Sequence, residues 1–328
     1  MSEMGNDINI NESIRKLALT EGFDLCGFTN LDPLVNHQEH LDRWLKTEAN
    51  ADMAWFHRNN DKRINPKLLV PEANAAIILL SSYYQEPSTI SEVTTSGERK
   101  ISEAKIAHYA RYKTDYHDAL NQRLISFSQR LNEQFPEAAI KHYTDTGPIL
   151  ERALAHRAGL GWIGKNTCLI VPGKGSYFFI SVLFTSLNLS SDRPIIENHC
   201  GSCVKCISAC PTFALIAPRF LDARNCISYH TIESKKEIPQ HIAAQLNDNI
   251  FGCDICQEVC PHNRKPYITK SIFAQSIKDL SDFTDYDYEN LSHERFLSLF
   301  RNTPIHRTGY NRFMRNIRAY LSNKTNSL

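Results

Sequence analysis

Apolar residues over the first 190 positions switch between helical and extended spacing. Ile14 to Thr20 carries them at helical intervals and is ended by Gly22, and Phe23 to Phe28 reads as a strand. Ala75 to Tyr84 (AAIILLSSYY) is a continuous apolar run of strand length and is expected to be buried. An amphipathic helix is predicted from Asp115 to about Gln134, stopped by Pro136, with a short strand near Ala138 to Tyr143 after it. Pro148 opens a further helix that ends at Gly159. Thr167 to Val171 and Tyr177 to Phe184 read as a strand pair joined through Pro172, Gly173, Lys174 and Gly175, while residues 86–100, rich in Ser, Thr and Glu, read as a surface loop. The pattern predicts a mixed, α+β protein.

Composition narrows this. The 328 residues are 42% hydrophobic with a net charge of +1, as in a soluble chain of two or three domains. No apolar run approaches the roughly 20 residues that span a bilayer, and the N-terminus lacks the basic and apolar stretches of an export signal. A cytoplasmic monomer is expected. A near-neutral chain has no general attraction for nucleic acid, so RNA binding would need a local patch. From Arg295 onward the chain carries Arg295, Arg301, Arg307, Arg312, Arg315, Arg318 and Lys324 without an acidic residue, interleaved with Phe300, Tyr310, Phe313 and Tyr320. Arginines pair with phosphates and aromatic rings stack on unpaired bases. The same pattern also fits a solvated basic helix whose aromatics face a core.

Eight of the ten cysteines form one constellation: the runs Cys200, Cys203, Cys206, Cys210-Pro211 and Cys253, Cys256, Cys260-Pro261, with Cys226 between them. In the bacterial ferredoxin run the first three cysteines hold one 4Fe-4S cluster and the fourth, before the proline, crosses to the other. By that logic Cys200, Cys203, Cys206 and Cys260 hold one cluster, and Cys210, Cys226, Cys253 and Cys256 hold the second. Zinc sites present two separated ligand pairs instead, and disulfides require an oxidising compartment. Cys26 (FDLCGF) and Cys168 (NTCLIV) lie in apolar surroundings and are assigned packing roles only. A cluster segment of about 70 residues leaves some 190 before it for another unit, more than an electron carrier alone needs.

Two further segments invite chemistry. Gly159, Gly161 and Gly164 spell GxGxxG, but they follow a helical stretch and precede a strand, the reverse of a phosphate-binding loop. Such glycines still permit a flat cofactor to approach the backbone. Asp145, in Tyr143-Thr144-Asp145-Thr146-Gly147-Pro148, falls between a strand and a helix, where side chains project into clefts; the local alternative is an N-cap or Asx turn.

The stretches TDTGPILERALAHRAGLGWIGKNT, IAHYARYKTDYH and RNCISYHTIE, together with the cysteine set, closely resemble the epoxyqueuosine reductase family over nearly the whole chain. The resemblance implies a nitroreductase-like cobalamin-binding domain over 1–190, a ferredoxin-like domain with two 4Fe-4S clusters over 191–270, and a short basic helical segment over 271–328 that contacts tRNA. It implies reduction of epoxyqueuosine to queuosine at the tRNA wobble position, with electrons passing through the clusters to cobalamin and Asp145 as the acid. Such a carboxyl, desolvated between corrin and nucleoside, would have a raised pKa. An external donor of flavodoxin or ferredoxin type would supply electrons. Polar contacts to the corrin are expected from Arg63, His108, Asn166 and Ser228, each of which serves equally as an ordinary surface or core residue. The Asp115-Tyr116-His117 string lacks the glycine of the signature that places a histidine under cobalt, so no such ligand is expected. A reductive dehalogenase and a bare electron-transfer module are the competing functions; the first typically has a twin-arginine signal, which this sequence lacks.

Overall fold

The computed structural model describes residues 2–85, 102–191, 193–268, 277 and 283–325; the expected loop over 86–100 lies outside them. In chain order the first part carries α1 (Ser2–Thr20), β1 (Leu25–Asn30), α2 (Val35–Lys46), α3 (Asn60–Ile64), β2 (Ala75–Ser82), β3 (Lys105–Ile106), α4 (Tyr116–Gln134), β4 (Ile140–Tyr143), α5 (Glu151–Arg157), β5 (Trp162–Ile163), β6 (Leu169–Ile170) and β7 (Phe178–Thr185). Four of these strands form an antiparallel sheet in the order β1-β2-β7-β4. Every residue of β2 and β7 is buried, because both faces of the sheet are covered. The two-residue period of a strand deals side chains alternately to two cores. Ile77, Leu79 and Leu183 join Phe23, Leu120 and Phe127 from the α1 and α4 side. Ala76, Ile78, Val182 and Phe184 join Ala153, Leu154 and Ala158 from the α5 side.

Helix α4 begins where its cap dictates: the Asp115 side chain accepts the His117 N–H at 2.9 Å. Two sequence expectations are corrected. The helix expected from Pro148 starts only at Glu151, because Gly147 to Ile149 form a turn closed by the Ile149 N–H on the Gly147 carbonyl. The expected pairing of Thr167–Val171 with Tyr177–Phe184 does not form; the nearby bridge, Val171 to Gly175, closes only the turn between them. Strand β7 is taken on both edges by β2 and β4, so β6 pairs with β5 across the glycine loop. Gly161 makes that approach possible, since a Cβ there would lie 2.2 Å from the Ile170 oxygen. The glycine is thus required by the chain's own packing, while Trp162 and Ile163 of the same loop line a cavity described below.

The second part carries α6 (Lys205–Ser208), β8 (Leu215–Ala217), β9 (Phe220–Leu221), α7 (Gln240–Ala243), β10 (Asn249–Phe251), α8 (Ile255–Glu258), α9 (Asp285–Glu289), α10 (His293–Phe300), α11 (Pro304–Thr308) and α12 (Tyr310–Thr325). Strand β10 pairs in parallel with β3, far earlier in the chain. Ile106, Ile250, Phe251, Phe296, Phe300, Phe313, Ile317 and Tyr320 share one core, so the C-terminal aromatics face inward. Arg315 is buried and donates to the carbonyls of His230 at 2.6 Å, Ser234 at 2.9 Å and Lys236. Arg312 donates to the carbonyls of Thr308 at 2.6 Å and Arg307 at 3.0 Å. Both arginines, expected on an RNA-binding face, clasp the C-terminal helices to their own backbone and to residues 230–236 instead.

Candidate functional site

The eight cysteines fall into two neighbourhoods. Cys260 interacts electrostatically with Cys200 and Cys203, and Cys206 with Cys200 and Cys260. Cys226 and Cys253 both interact with Cys210, and Cys256 with Cys253 and Cys226. Among the described residues no three metal-ligating side chains converge on one point. Burial pushes the Cys253 thiol up to about 12 and raises Cys206, Cys226 and Cys260. Such thiols ionise only with a compensating cation. Backbone N–H groups of Ile255, His262 and Ser228 lie against Cys253, Cys260 and Cys226, and the Ala214 N–H donates to Cys210 at 3.3 Å. Cys168, assigned packing alone, lies against Cys256.

Beside these thiols opens a cavity of about 1470 Å³ walled by Arg63, Asp145, Glu151, Trp162 and Thr167 among others. Trp162 also packs with Cys260 and Cys200, so one indole separates the cavity from the first cysteine group. Of the polar residues expected against a corrin, Arg63 lines this cavity and three do not. Asn166 accepts the Cys168 N–H and donates to the Cys256 carbonyl at 3.2 Å. Ser228 serves Cys226. His108 stacks on Tyr84 at 5.1 Å, its backbone N–H donates to Asp254, and burial lowers the imidazole's pKa to about 4, so the ring is neutral.

Asp145 follows β4 with a left-handed backbone, φ 53°. It caps no helix: Leu150 occupies the N-cap of α5 without a side-chain bond. Its side chain is 64% exposed toward the cavity mouth. The Tyr116 hydroxyl donates to Asp145 Oδ2 at 2.6 Å, and His117 Nε2 lies 3.8 Å from the same oxygen. Tyr116 is held in place by stacking on Phe179 at 4.2 Å. On the other side the Asp145 N–H donates to Glu151 Oε1 at 2.7 Å. Burial, reinforced by the Asp145 carboxylate, pushes Glu151 up to about 8. A carboxyl that prefers its proton therefore lies directly beside Asp145, at Glu151. Arg307, from α11, grips Asp115 with Nε to Oδ2 at 2.7 Å and a second nitrogen to Oδ1 at 2.5 Å. Burial opposes ionisation of Asp115, but bonds from His117 and Arg307 outweigh it and hold that carboxyl down at about 2.

Sequence reasoning gave no role to Tyr116 or Glu151 and read Arg307 as part of a basic patch, whereas it grips Asp115. Glu151 lies six residues after Asp145 in the same motif, a signal that was present; nothing local foretells that the start of α4 meets the loop after β4.

Residues 199–263 match the 4Fe-4S double cluster binding domain, which makes this a two-cluster iron-sulfur protein, and residues 63–146 match the family described as Epoxyqueuosine reductase QueG, DUF1730. The chain belongs to the epoxyqueuosine reductase family, a family of oxidoreductases. It is 37% identical to the epoxyqueuosine reductase of Cellulophaga algicola over 94% of this chain and 96% of the relative. A solved epoxyqueuosine reductase bound to a tRNA-Tyr epoxyqueuosine-modified stem loop is similar with 26% identity and a TM-score of 0.81, covering 96% of this chain and 82% of that one. The Bacillus subtilis enzyme, solved with its catalytic aspartate loop swung out of the active site, is similar with 25% identity and a TM-score of 0.81 over the same shares. Among the described residues no helix is long and apolar enough to cross a membrane.

Proposed function

We propose that this chain reduces epoxyqueuosine in tRNA to queuosine, with Asp145 as proton donor. The observation that carries the reading is the Asp145 carboxylate, released from helix capping and held at the cavity mouth by Tyr116. The aspartate catalytic loop of the Bacillus subtilis relative and the modified stem loop in the other relative support it.

Removing an epoxide oxygen as water consumes two electrons and two protons. The first step for the protein is to hold an acid where the oxygen departs. Tyr116 fixes Oδ2 of Asp145, and Glu151 fixes its N–H, so the carboxyl stays aimed without a long flexible stem. When a nucleoside covers the exposed carboxyl, desolvation favours its protonated form. The two cysteine groups would hold the clusters that relay single electrons from an external one-electron donor.

The cavity suits cobalamin. Small-molecule pockets run to roughly 300–1,000 Å³, and this one is larger. Arg63 lies on its wall with a buried Nε that has no hydrogen-bond partner, positioned for the amide groups around a corrin. Bound there, cobalamin would supply low-valent cobalt able to deliver electrons to the epoxide. Arg63 and the Trp162 and Thr167 wall would hold it. For RNA, the exposed Arg301 and Arg318 remain, since Arg312 and Arg315 are committed to the fold.

Nucleoside mass spectrometry on epoxyqueuosine-containing tRNA, incubated anaerobically with cobalamin-loaded, chemically reduced protein, tests the reading. Queuosine should appear with wild type and be lost with Asp145→Asn. Full turnover by Asp145→Asn with intact cofactors would remove the acid role.

A further inference from the structure

Asp145 stands between two openings. On one side it lines the large cavity. On the other, Asp115 and His117 line a separate notch of about 400 Å³ with Arg301, Thr303 and Arg307. His117 joins the two: Nε2 lies 3.8 Å from Asp145 Oδ2, and Nδ1 lies 3.1 Å from Asp115 Oδ1. Its ring is fixed against Tyr116 at 4.0 Å. The groups facing it are Asp115, the N-cap of α4, Tyr116 from α4, Asp145 from the loop after β4, and Arg307 from α11, with Asp118, Arg301 and His306 on the same notch. The Arg307 guanidinium meets Nδ1 and, at 3.3 Å, Nε2, with Glu233 interacting on its other side.

The reduction consumes two protons, and a single carboxyl carries one at a time. Asp145 must be recharged for every product formed. A substrate filling the cavity excludes solvent from that side, which leaves the notch as the open route.

We propose that His117 returns protons to Asp145, drawing each from solvent in the notch. The inference rests on Asp145 being the acid of the proposed function. With Nδ1–H held on the Asp115 carboxylate, Nε2 takes a proton from water in the notch, and the imidazolium then passes a proton from Nε2 to Asp145 Oδ2. One proton moves from solvent to Asp145, the ring is neutral again and no electron is transferred. An imidazole is the side chain suited to this exchange near neutral pH. Asp115, locked by Arg307, remains ionised and keeps the ring oriented. The 3.8 Å gap exceeds a hydrogen bond and is crossed through one bridging water from the notch, so Oδ2 keeps its bond from Tyr116. His117 acts through Asp145 and touches no substrate.

The test uses holoenzyme reduced with titanium(III) citrate and an epoxyqueuosine-modified stem loop. His117→Ala and His117→Gln should each lower kcat at least tenfold at pH 8 with KM unchanged, and the deficit should shrink as the pH falls. Added imidazole should restore His117→Ala. Without turnover, histidine NMR of the oxidised protein should show the His117 titration moving to lower pH in Asp145→Asn, which removes a facing carboxylate. Undiminished kcat in both variants, failure of imidazole to restore His117→Ala, or a His117 titration indifferent to Asp145→Asn would each overturn the relay. If Asp145→Asn itself turns over, the acid assignment fails first. An inactive Asp145→Asn beside a fully active His117→Ala sinks the relay alone.

Discussion

Around Asp145 the balance is between one bond that fixes a carboxylate and one carboxyl that prefers its proton. The Tyr116 hydroxyl gives Asp145 a charge-assisted bond, of a kind worth about 1.5–3 kcal/mol. Tyr116→Phe should therefore lower turnover roughly ten- to a hundredfold with the tRNA affinity unchanged, as steady-state kinetics beside filter binding would show. Glu151 behaves differently, because its folded value, about 8, lies above its ordinary 4.5. Below that ordinary value both folded and unfolded chains are protonated and nothing is lost. As pH rises toward 8 the unfolded chain releases a proton that the fold retains, and stability falls. Glu151→Gln in cofactor-free protein should melt higher than wild type at pH 8, with the difference vanishing below pH 4.5 in thermal scans across pH. Residues of this kind were only partly legible. The cysteines announce themselves because their spacing and their prolines carry the ligand pattern. Tyr116 and His117 do not, since their role depends on β4 lying at the edge of the sheet, near the start of α4.

Elements were legible where one segment determines its own state. Strands β2 and β7 are apolar throughout because both sheet faces are covered, and α4 carries its own cap at Asp115 and its own stop at Pro136. Strand β6 was not, because its partner depends on which neighbours claim β7. Helix α12 misled in another way: a basic, aromatic sequence reads alike whether its arginines meet phosphates or backbone carbonyls. Burial decides it. Arg315→Ala would strip hydrogen bonds from the buried carbonyls of His230 and Ser234, and at about 1–3 kcal/mol for each buried group left unpaired it should destabilise the protein by at least about 2 kcal/mol in denaturant melts. Arg301→Glu, on the exposed rim of the notch, should leave the melt unchanged, weaken tRNA binding and flatten its salt dependence. If the tRNA affinity of Arg301→Glu matched wild type, the RNA surface would lie elsewhere.

At the scale of the whole molecule, the second part is not a contiguous stretch of chain. Strand β3 reaches across from before α4 to pair with β10, Gly252 leaves no room for a side chain against Ala107, and α12 closes the same core from the far end. A fragment of residues 191–328 lacks β3 and should retain far less iron than the full chain after anaerobic reconstitution, read by iron and sulfide analysis. Gly252→Ala, whose Cβ would fall 2.5 Å from that of Ala107, should have a milder form of the same defect in the full chain.

That closure by α12 also sets an order of events. The thiols of the second group border a core that is complete only when the last helix arrives, so during synthesis they stand open to oxidants long after they have been made. Iron loading then competes with oxygen at the end of folding rather than at its start.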